Sequence, residues 1–194
     1  MVAPYRKKRL LFEICVELGE CYTALGDSQA AEINFAEALD LKPRNPKPYT
    51  GLARVAVLKG EWEQAQSYLL KALEIKPEDD EALSILGEVM LAQGNTGAAW
   101  ECWQRGLELN KGNKETLLGL VQAADNLEKL RFLVPFLEEY IAQHLVDFEV
   151  LYALAEARHR LGQEEEALEI LGKILLFKPD HLKALALKEE IQQH

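Results

Sequence analysis

The sequence predicts an all-α fold, an α-solenoid of repeated helix–turn–helix units closed by a C-terminal capping helix. Two sets of residues recur with a spacing of 34 residues or a multiple of it. The first set ends three similar stretches and consists of Pro43, Pro77 and Pro179. The second set consists of Gly26, Gly60, Gly94 and Gly162. Because this period accommodates two short helices and their turns, each repeat is predicted to be one helical pair.

One frame with this period covers the chain without an insertion. Its repeats span residues 12–45, 46–79, 80–113, 114–147 and 148–181, and a remnant spans residues 182–194. The second repeat shows the two helices best. Apolar residues recur at a spacing of three or four positions from Pro46 to Lys59, and again from Trp62 to Ile75. Gly60 breaks the first helix at a left-handed terminus, and Pro77 stops the second.

The two ends of the array differ. A basic helical stretch opens at Pro4 and runs directly into the first repeat. The remnant is amphipathic and is predicted to be the helix that caps the last repeat. Its apolar side is predicted to consist of Leu182, Leu185, Ala186 and Ile191. Since the N-terminus has no comparable cap, we expect that another segment precedes this chain in its natural context.

The repeat at 114–147 is degenerate. Its substitutions fall at small, turn and proline positions, and they are Val121, Glu128, Leu133, Tyr140 and Leu145. Pro135 falls inside the predicted second helix. Because proline is tolerated in the first turn of a helix, that helix is expected to begin late, near residues 131–134, after a looser turn. Neutral drift in a redundant array and a functional hinge both explain the departure.

The residues at fixed positions of the repeats resemble the tetratricopeptide repeat (TPR) family. The first repeat supplies Cys15, Leu18, Gly19, Tyr22, Gly26, Ala31, Phe35, Ala38 and Pro43. The third supplies Leu83, Leu86, Gly87, Gly94, Ala99, Trp103 and Gly106. The resemblance extends over residues 12–181 and implies a right-handed solenoid whose first helices line a concave groove. It is specific for the fold and carries little information about the ligand.

Alternation of side-chain size explains why these positions matter. Small residues at repeat positions 8, 20 and 27 let helix backbones approach, and large residues at positions 4, 7, 11 and 24 fill the spaces between them. A larger side chain at Ala31, Ala65 or Ala99 is expected to overpack a helical pair. One pair cannot bury its own apolar face, so neighbouring repeats must stack.

Composition limits the classes of partner. The net charge of −10 disfavours nucleic acid, whose binding requires clustered Lys and Arg. No apolar run approaches the roughly 20 residues of a membrane span, and the N-terminus lacks the apolar region of a secretory signal. Three cysteines without a CxxC pair indicate a reducing compartment, so a cytoplasmic location is expected.

Residues that could carry chemistry do not form a recognisable site. The histidines His144, His159, His181 and His194 have no metal-ligand spacing. Cys15 falls at a packing position, and neither Cys21 nor Cys102 has a signal of activation. Gly94 and Gly97 flank an ordinary inter-helix turn without the elements of a phosphate loop. We therefore expect no catalytic residue, no metal and no cofactor, and no enzymatic activity of the chain itself.

The family resemblance implies which side chains face the groove. These candidate groove residues are Glu13, Glu17, Glu20, Arg54, Val57, Ile85, Glu88, Leu118, Gln122, Tyr152, Glu156 and His159. Glu17 and Glu20 stand where co-chaperone relatives clamp a carboxylate, and the asparagine ladder of O-linked N-acetylglucosamine transferases is absent. The groove is instead acidic with apolar patches, which favours a protein or peptide with a basic or polar segment.

Three functions are compatible with this sequence. The leading hypothesis is a protein- or peptide-binding scaffold. The alternative is the substrate-recognition arm of a larger bacterial enzyme, such as a protein glycosyltransferase, with its catalytic domain upstream. Self-association through an exposed end of the solenoid is the third.

Overall fold

A computed structural model describes residues 3–124, 126–144 and 146–193, and all regular structure within them is helical. Leu145 and His194, on which sequence expectations fall, lie outside the described residues. The chain forms two compact units, Met1–Leu109 and Asn110–His194. The single array over residues 1–194 and its repeat boundaries stay predictions.

The first unit consists of three helical pairs. Its helices are α1 (Ala3–Ala24), α2 (Ser28–Leu41), α3 (Pro46–Lys59), α4 (Trp62–Ile75), α5 (Asp80–Ala92) and α6 (Thr96–Leu109). Each odd-numbered helix packs against the next even-numbered one, and α1 also contacts α3, as α3 contacts α5. The first helices of successive pairs are therefore neighbours. The bounds of α3 and α4 confirm the two helices predicted for the second repeat.

The second unit contains two further pairs and a last helix. Its helices are α7 (Lys114–Ala123), α8 (Leu127–Gln143), α9 (Phe148–Arg160), α10 (Glu164–Phe177) and α11 (Leu182–Gln192). Helix α9 contacts all four of the others, so it is the centre of this unit. We use "first helices" for α1, α3, α5, α7 and α9, and "second helices" for α2, α4, α6, α8 and α10.

Side-chain caps start five of these helices in one register. The capping residues are Asn45, Asp79, Asn113, Asp147 and His181, each 34 residues after the one before. Each accepts a hydrogen bond from a backbone N–H in the first helical turn, at 3.0–3.3 Å. Such bonds satisfy donors that have no partner inside the helix. The 34-residue spacing of the capping residues therefore continues through the degenerate repeat.

The turns inside the regular pairs are closed by left-handed glycines. Gly26, Gly60, Gly94 and Gly162 have φ between 73° and 80°, as predicted. A side chain disfavours this conformation, because its Cβ would crowd the backbone.

Aromatic rings packed on glycines hold the pairs of the first unit together. The Phe35 ring, 1% exposed, lies against Gly19 of α1 and Gly51 of α3. The Trp103 ring lies against Gly87, and its Nε1 donates to the Ser84 carbonyl at 2.9 Å. The predicted alternation of small and large residues is therefore present at both contacts.

The degenerate repeat corrects one expectation. Helix α8 begins at Leu127, not near residues 131–134, and Pro135 lies inside it. Asn126 caps its start by accepting from the Lys129 N–H at 2.9 Å, and four residues along one side are fully or largely buried: Leu130, Leu133, Val134 and Leu137. Cap and burial together outweigh the hydrogen bond that Pro135 cannot make. The turn is altered, because Ala124 ends α7 in an extended conformation where the regular pairs are closed by a left-handed glycine.

The burial of apolar residues also differs from the prediction in two other helices. In α11 the buried side consists of Ala184, Leu187 and Ile191, whereas Leu182, Leu185 and Ala186 are exposed. The buried side packs in one core cluster with Leu171 and Ile174 of α10. Leu18 of α1 is 42% exposed, because no helix in the described part of the chain covers that face.

Candidate functional site

The candidate groove residues lie on the first helices of both units. In the first unit Glu13, Glu17, Glu20, Arg54 and Glu88 are exposed and Val57 is half-buried. Ile85 is buried and offers a ligand little surface. In the second unit Gln122 is exposed, and Leu118, Tyr152, Glu156 and His159 are half-buried.

A small pocket in the first unit brings two of these residues together. Helices α1, α3 and α5 meet around a volume of about 90 Å³, with Glu20 and Arg54 on its wall. Gly51 leaves the floor open down to the Phe35 ring, because it has no side chain to fill the space. Clefts for drug-sized molecules have about 300–1,000 Å³. The volume suits a single side chain of a bound peptide better than a metabolite.

The charges around this pocket are mixed, with acid in excess. Arg54 forms an ion pair with Glu81, and Lys47 also lines the wall. In the described part of the chain, Glu17, Glu20 and Glu88 have no ion-pair partner. Two carboxylates on α1 and one on α5 are therefore available for a cation.

In the second unit the candidate residues surround Tyr152 on α9. The Tyr152 ring stacks on His181 with centroids 6.0 Å apart, and both line a shallow cleft of about 510 Å³ with Leu182 and Lys183. Burial, and then the charges of Glu156 and Glu190, raise the pKa of the Tyr152 hydroxyl, which therefore stays protonated. His159 lies 3.9 Å from Glu190 of α11. This surface combines an aromatic ring with carboxylates.

A half-buried polar cluster fixes the start of α9. Asp147 accepts from Lys114 of α7 at 3.1 Å and from the Tyr140 hydroxyl of α8 at 3.3 Å. Burial alone would raise the pKa of the Asp147 carboxyl, but hydrogen bonds from Lys114 and the Val150 N–H outweigh burial and lower it. The carboxylate therefore stays charged and positions α9 with its groove residues. Arg160 adds a bond to the Ala124 carbonyl at 2.6 Å, in the altered turn.

An apolar cleft in the second unit was not predicted. It lies between α8 and α10 over α9 and has a volume of about 470 Å³. Its apolar lining consists of Ile141, Phe148, Leu151, Leu154, Ile170 and Phe177. The ion pair of Arg158 and Glu138 stands at its edge.

The structure brings together only part of the predicted set. Glu20 joins Arg54 in the small pocket, and Glu156 and His159 follow Tyr152 along α9. Lys47 and Glu81 also belong to the small pocket. Both residues stand at the second position of their repeats, 34 residues apart, and this shared position in the sequence indicated that they lie close to the groove. Gly51 was expected to face the groove, at the sixth position of its repeat, but only the structure shows that Phe35 lies beneath it and makes it the floor.

The described residues contain neither a cluster of metal ligands nor a membrane-spanning helix. No group of three or more His, Cys, Asp or Glu side chains could hold a metal ion in residues 3–124, 126–144 and 146–193. In the same part of the chain, no helix has the length and apolar character to cross a membrane.

Comparisons with known proteins identify the repeat. Models of the tetratricopeptide repeat match residues 22–89 and 149–173. No protein with a curated description matches the sequence. Nothing in these comparisons supports an attachment to a glycosyltransferase.

Solved structures of TPR proteins share the fold. YrrB, a TPR protein with an unusual peptide-binding site, is 23% identical with a TM-score of 0.71, and the match covers 90% of each chain. MamA is 20% identical with a TM-score of 0.67, covering 89% of this chain and 94% of MamA. Yeast Tom70 is 17% identical with a TM-score of 0.72, covering 93% of this chain and 39% of Tom70. The chain thus carries tetratricopeptide repeats and has the all-α solenoid fold of TPR proteins, as the sequence predicts.

Proposed function

We propose that this chain is a binding scaffold whose first helices recognise a protein or peptide through a basic segment. The observation that carries the proposal is the small pocket, to which three first helices contribute and in which Glu20 and Arg54 converge. Its volume suits one side chain, and an extended or helical peptide presents side chains one at a time. A resemblance to YrrB, whose site binds peptides, supports the same class of ligand.

Charge supports a basic rather than an acidic ligand. Glu17, Glu20 and Glu88 lack intramolecular partners in the described part of the chain, so a ligand cation would form new ion pairs with them. An acidic ligand would meet their repulsion. Tyr152 and Leu118 would supply apolar contact in the second unit, where Glu156 lies one turn beyond the Tyr152 ring. Complementary charge steers and orients a ligand, and the apolar contacts add affinity.

Selection of short random peptides displayed on phage tests this function without knowledge of the natural partner. We expect the wild-type chain to enrich peptides with net positive charge. Their affinity should fall at least about tenfold in the triple variant Glu20→Lys, Glu88→Lys, Glu156→Lys, because three attractions become repulsions. It should also fall with rising salt, since exposed ion pairs are screened.

The matched control carries the same change of charge on second helices, in the triple variant Glu74→Lys, Glu108→Lys, Glu165→Lys. All three glutamates are exposed. Binding of the selected peptides should be nearly unchanged in this variant. Equal losses in the two triple variants, or enrichment of neutral and acidic peptides, would refute the proposed basic segment.

A further inference from the structure

One cap in the 34-residue series differs in chemistry from the others. Four of the five helices in that series are capped by side-chain oxygens, which belong to Asn45, Asp79, Asn113 and Asp147. Helix α11 is capped by a ring nitrogen instead, because Nδ1 of His181 accepts from the Ala184 N–H at 3.1 Å. A neutral imidazole accepts at one nitrogen, whereas an imidazolium has a proton on both nitrogens and accepts at neither. The cap of α11 therefore exists only while His181 is neutral.

The type of side chain decides where on the pH scale a cap is lost. Imidazole ordinarily gains its second proton between pH 8 and pH 5, whereas carboxylates, phenols and ammonium groups ordinarily titrate outside that range. The oxygen caps therefore persist across it, because an amide does not titrate and a carboxylate remains an acceptor. Of the five caps in this series, the one on α11 responds to mild acid.

The charged and titratable groups around the His181 ring also oppose its protonation. The groups that line the same cleft come from α9, from the turn before α11 and from α11 itself, and they are Tyr152, Glu149, Lys178, Asp180 and Lys183. Glu149 is paired with the Lys114 ammonium at 2.8 Å. The two lysines of the cleft and the positive end of the α11 dipole disfavour an imidazolium, and Asp180 favours it. Protonation thus removes a hydrogen bond and places a positive charge at a helix start that repels it.

The first turn of α11 depends on its cap, because it buries little. Ala184 is fully buried in one core cluster with Leu171 and Ile174 of α10. The larger side chains of this turn contribute less, since Leu182 is 81% exposed and Leu185 is 36% exposed. A turn that is held by one small buried side chain loses much of its stability when its capping bond is broken.

We propose that His181 is a pH-sensitive switch for the first turn of α11, which is closed at neutral pH and loosened in mild acid. The loosened turn binds one more proton than the capped turn, so acid shifts the equilibrium toward it. Leu187 and Ile191 are 6% and 4% exposed, and their burial holds the rest of α11 in place. Loosening moves Leu182 away from Tyr152, with which it lines one cleft. Mild acid therefore opens that cleft without unfolding the second unit.

A second histidine contacts α11 near its other end. Nε2 of His159 lies 3.9 Å from a carboxylate oxygen of Glu190. Protonation of His159 would strengthen this contact, so it acts in the opposite direction to protonation of His181 and at the opposite end of the helix. Substituting each histidine alone separates the two effects.

Hydrogen exchange of single amides, followed by NMR spectroscopy between pH 8 and pH 5, tests the switch. His181→Asn is the matched control, because asparagine caps α3 and α7 of this chain and does not titrate. The rates of wild type and control are compared at the same pH, which cancels the pH dependence of the exchange chemistry itself. For the amides of residues 184–187, the ratio of the wild-type rate to the control rate should rise about fivefold from pH 8 to pH 5.

Two further variants complete the test. His181→Ala has no acceptor at any pH, so it should exchange about fivefold faster than the asparagine variant at both ends of the range. His159→Gln should keep the wild-type rise. The amides of Leu171 and Ile174 in α10 should exchange at the wild-type rate in every variant, which verifies that the second unit stays folded.

Three results overturn the proposal. These are a ratio that stays constant with pH, a rise that disappears in His159→Gln, and a rise of equal size at Leu171 and Ile174, which would mean that the whole unit opens. None of these measurements uses a peptide ligand, so the outcome is independent of the proposed binding function.

Discussion

Replacing Phe35 by alanine is expected to lower the free energy of unfolding of the first unit by about 3–5 kcal/mol. The ring is 1% exposed and belongs to a core cluster with Ala31, Leu52 and Val55. It also fills the space that Gly19 and Gly51 leave open. The cavity left by alanine would therefore persist, and the α1–α2 and α2–α3 contacts would lose their common centre.

Urea denaturation followed by circular dichroism measures this loss. The matched control is Phe177→Ala, because Phe177 is a phenylalanine of the same chain that is 71% exposed on α10. It should lose about 1 kcal/mol or less, since little of its surface leaves water on folding. Losses of similar size in the two variants would mean that Phe35 is not the packing centre described here.

A valine at position 87 is expected to destabilise the first unit by about 3 kcal/mol, at the upper end of the overpacking range. A Cβ at Gly87 would lie 2.5 Å from Cε2 of Trp103, well inside van der Waals contact. The ring cannot move aside easily, because it is 3% exposed and its Nε1 is bonded to the Ser84 carbonyl. Helix α5 would therefore have to separate from α6.

Gly172→Ala is the control for this prediction. Gly172 also lies within a helix, but no heavy atom stands within 4 Å of the position of its Cβ. Alanine there should raise the stability of the second unit by about 0.5–1 kcal/mol, because glycine is the poorer helix former. Both variants are compared with wild type in urea. A harmless Gly87→Val would contradict the view that glycine is needed for the close approach of α5 and Trp103.

These two expectations rest on features that the sequence could predict. Pro46 and Gly60 begin and end α3 by local chemistry alone, since one pre-sets a helical φ and the other adopts a left-handed one. The pairing of small and large residues follows from the period. The series of capping residues beginning with Asn45 and Asp79 was also visible in the sequence. It would have extended the same register through the degenerate repeat.

The start of α8 and the buried sides of α11 and α1 could not be predicted, because opposing local preferences are decided there by packing. Asn126 and Pro135 give opposite signals for the start of α8, and only the burial of Leu133 and its neighbours decides between them. In α11 two apolar sides compete for the core, and packing against Leu171 and Ile174 decides between them. In α1, Leu18 and Phe12 have similar hydrophobicity, yet one is exposed and the other buried.

The candidate site was predicted in outline only. The first helices follow from the family resemblance, but the ion pair of Arg54 and Glu81 joins residues 27 positions apart, on two helices. That pair neutralises Arg54, so Glu20 is the acid of the small pocket that has no ion-pair partner in the described part of the chain. The apolar cleft beside Phe177 lies between second helices, where the family pattern gave no reason to expect a site.

The central claim is that ligands bind on the first helices. Photo-crosslinking of a selected basic peptide tests this claim most directly. A benzophenone group is placed at successive positions of the peptide, and mass spectrometry identifies the attached residues. We predict attachment to α1, α3, α5, α7 or α9, including Arg54 or Tyr152. Attachment confined to the second helices, or to Ile170 and Phe177 in the apolar cleft, would contradict it.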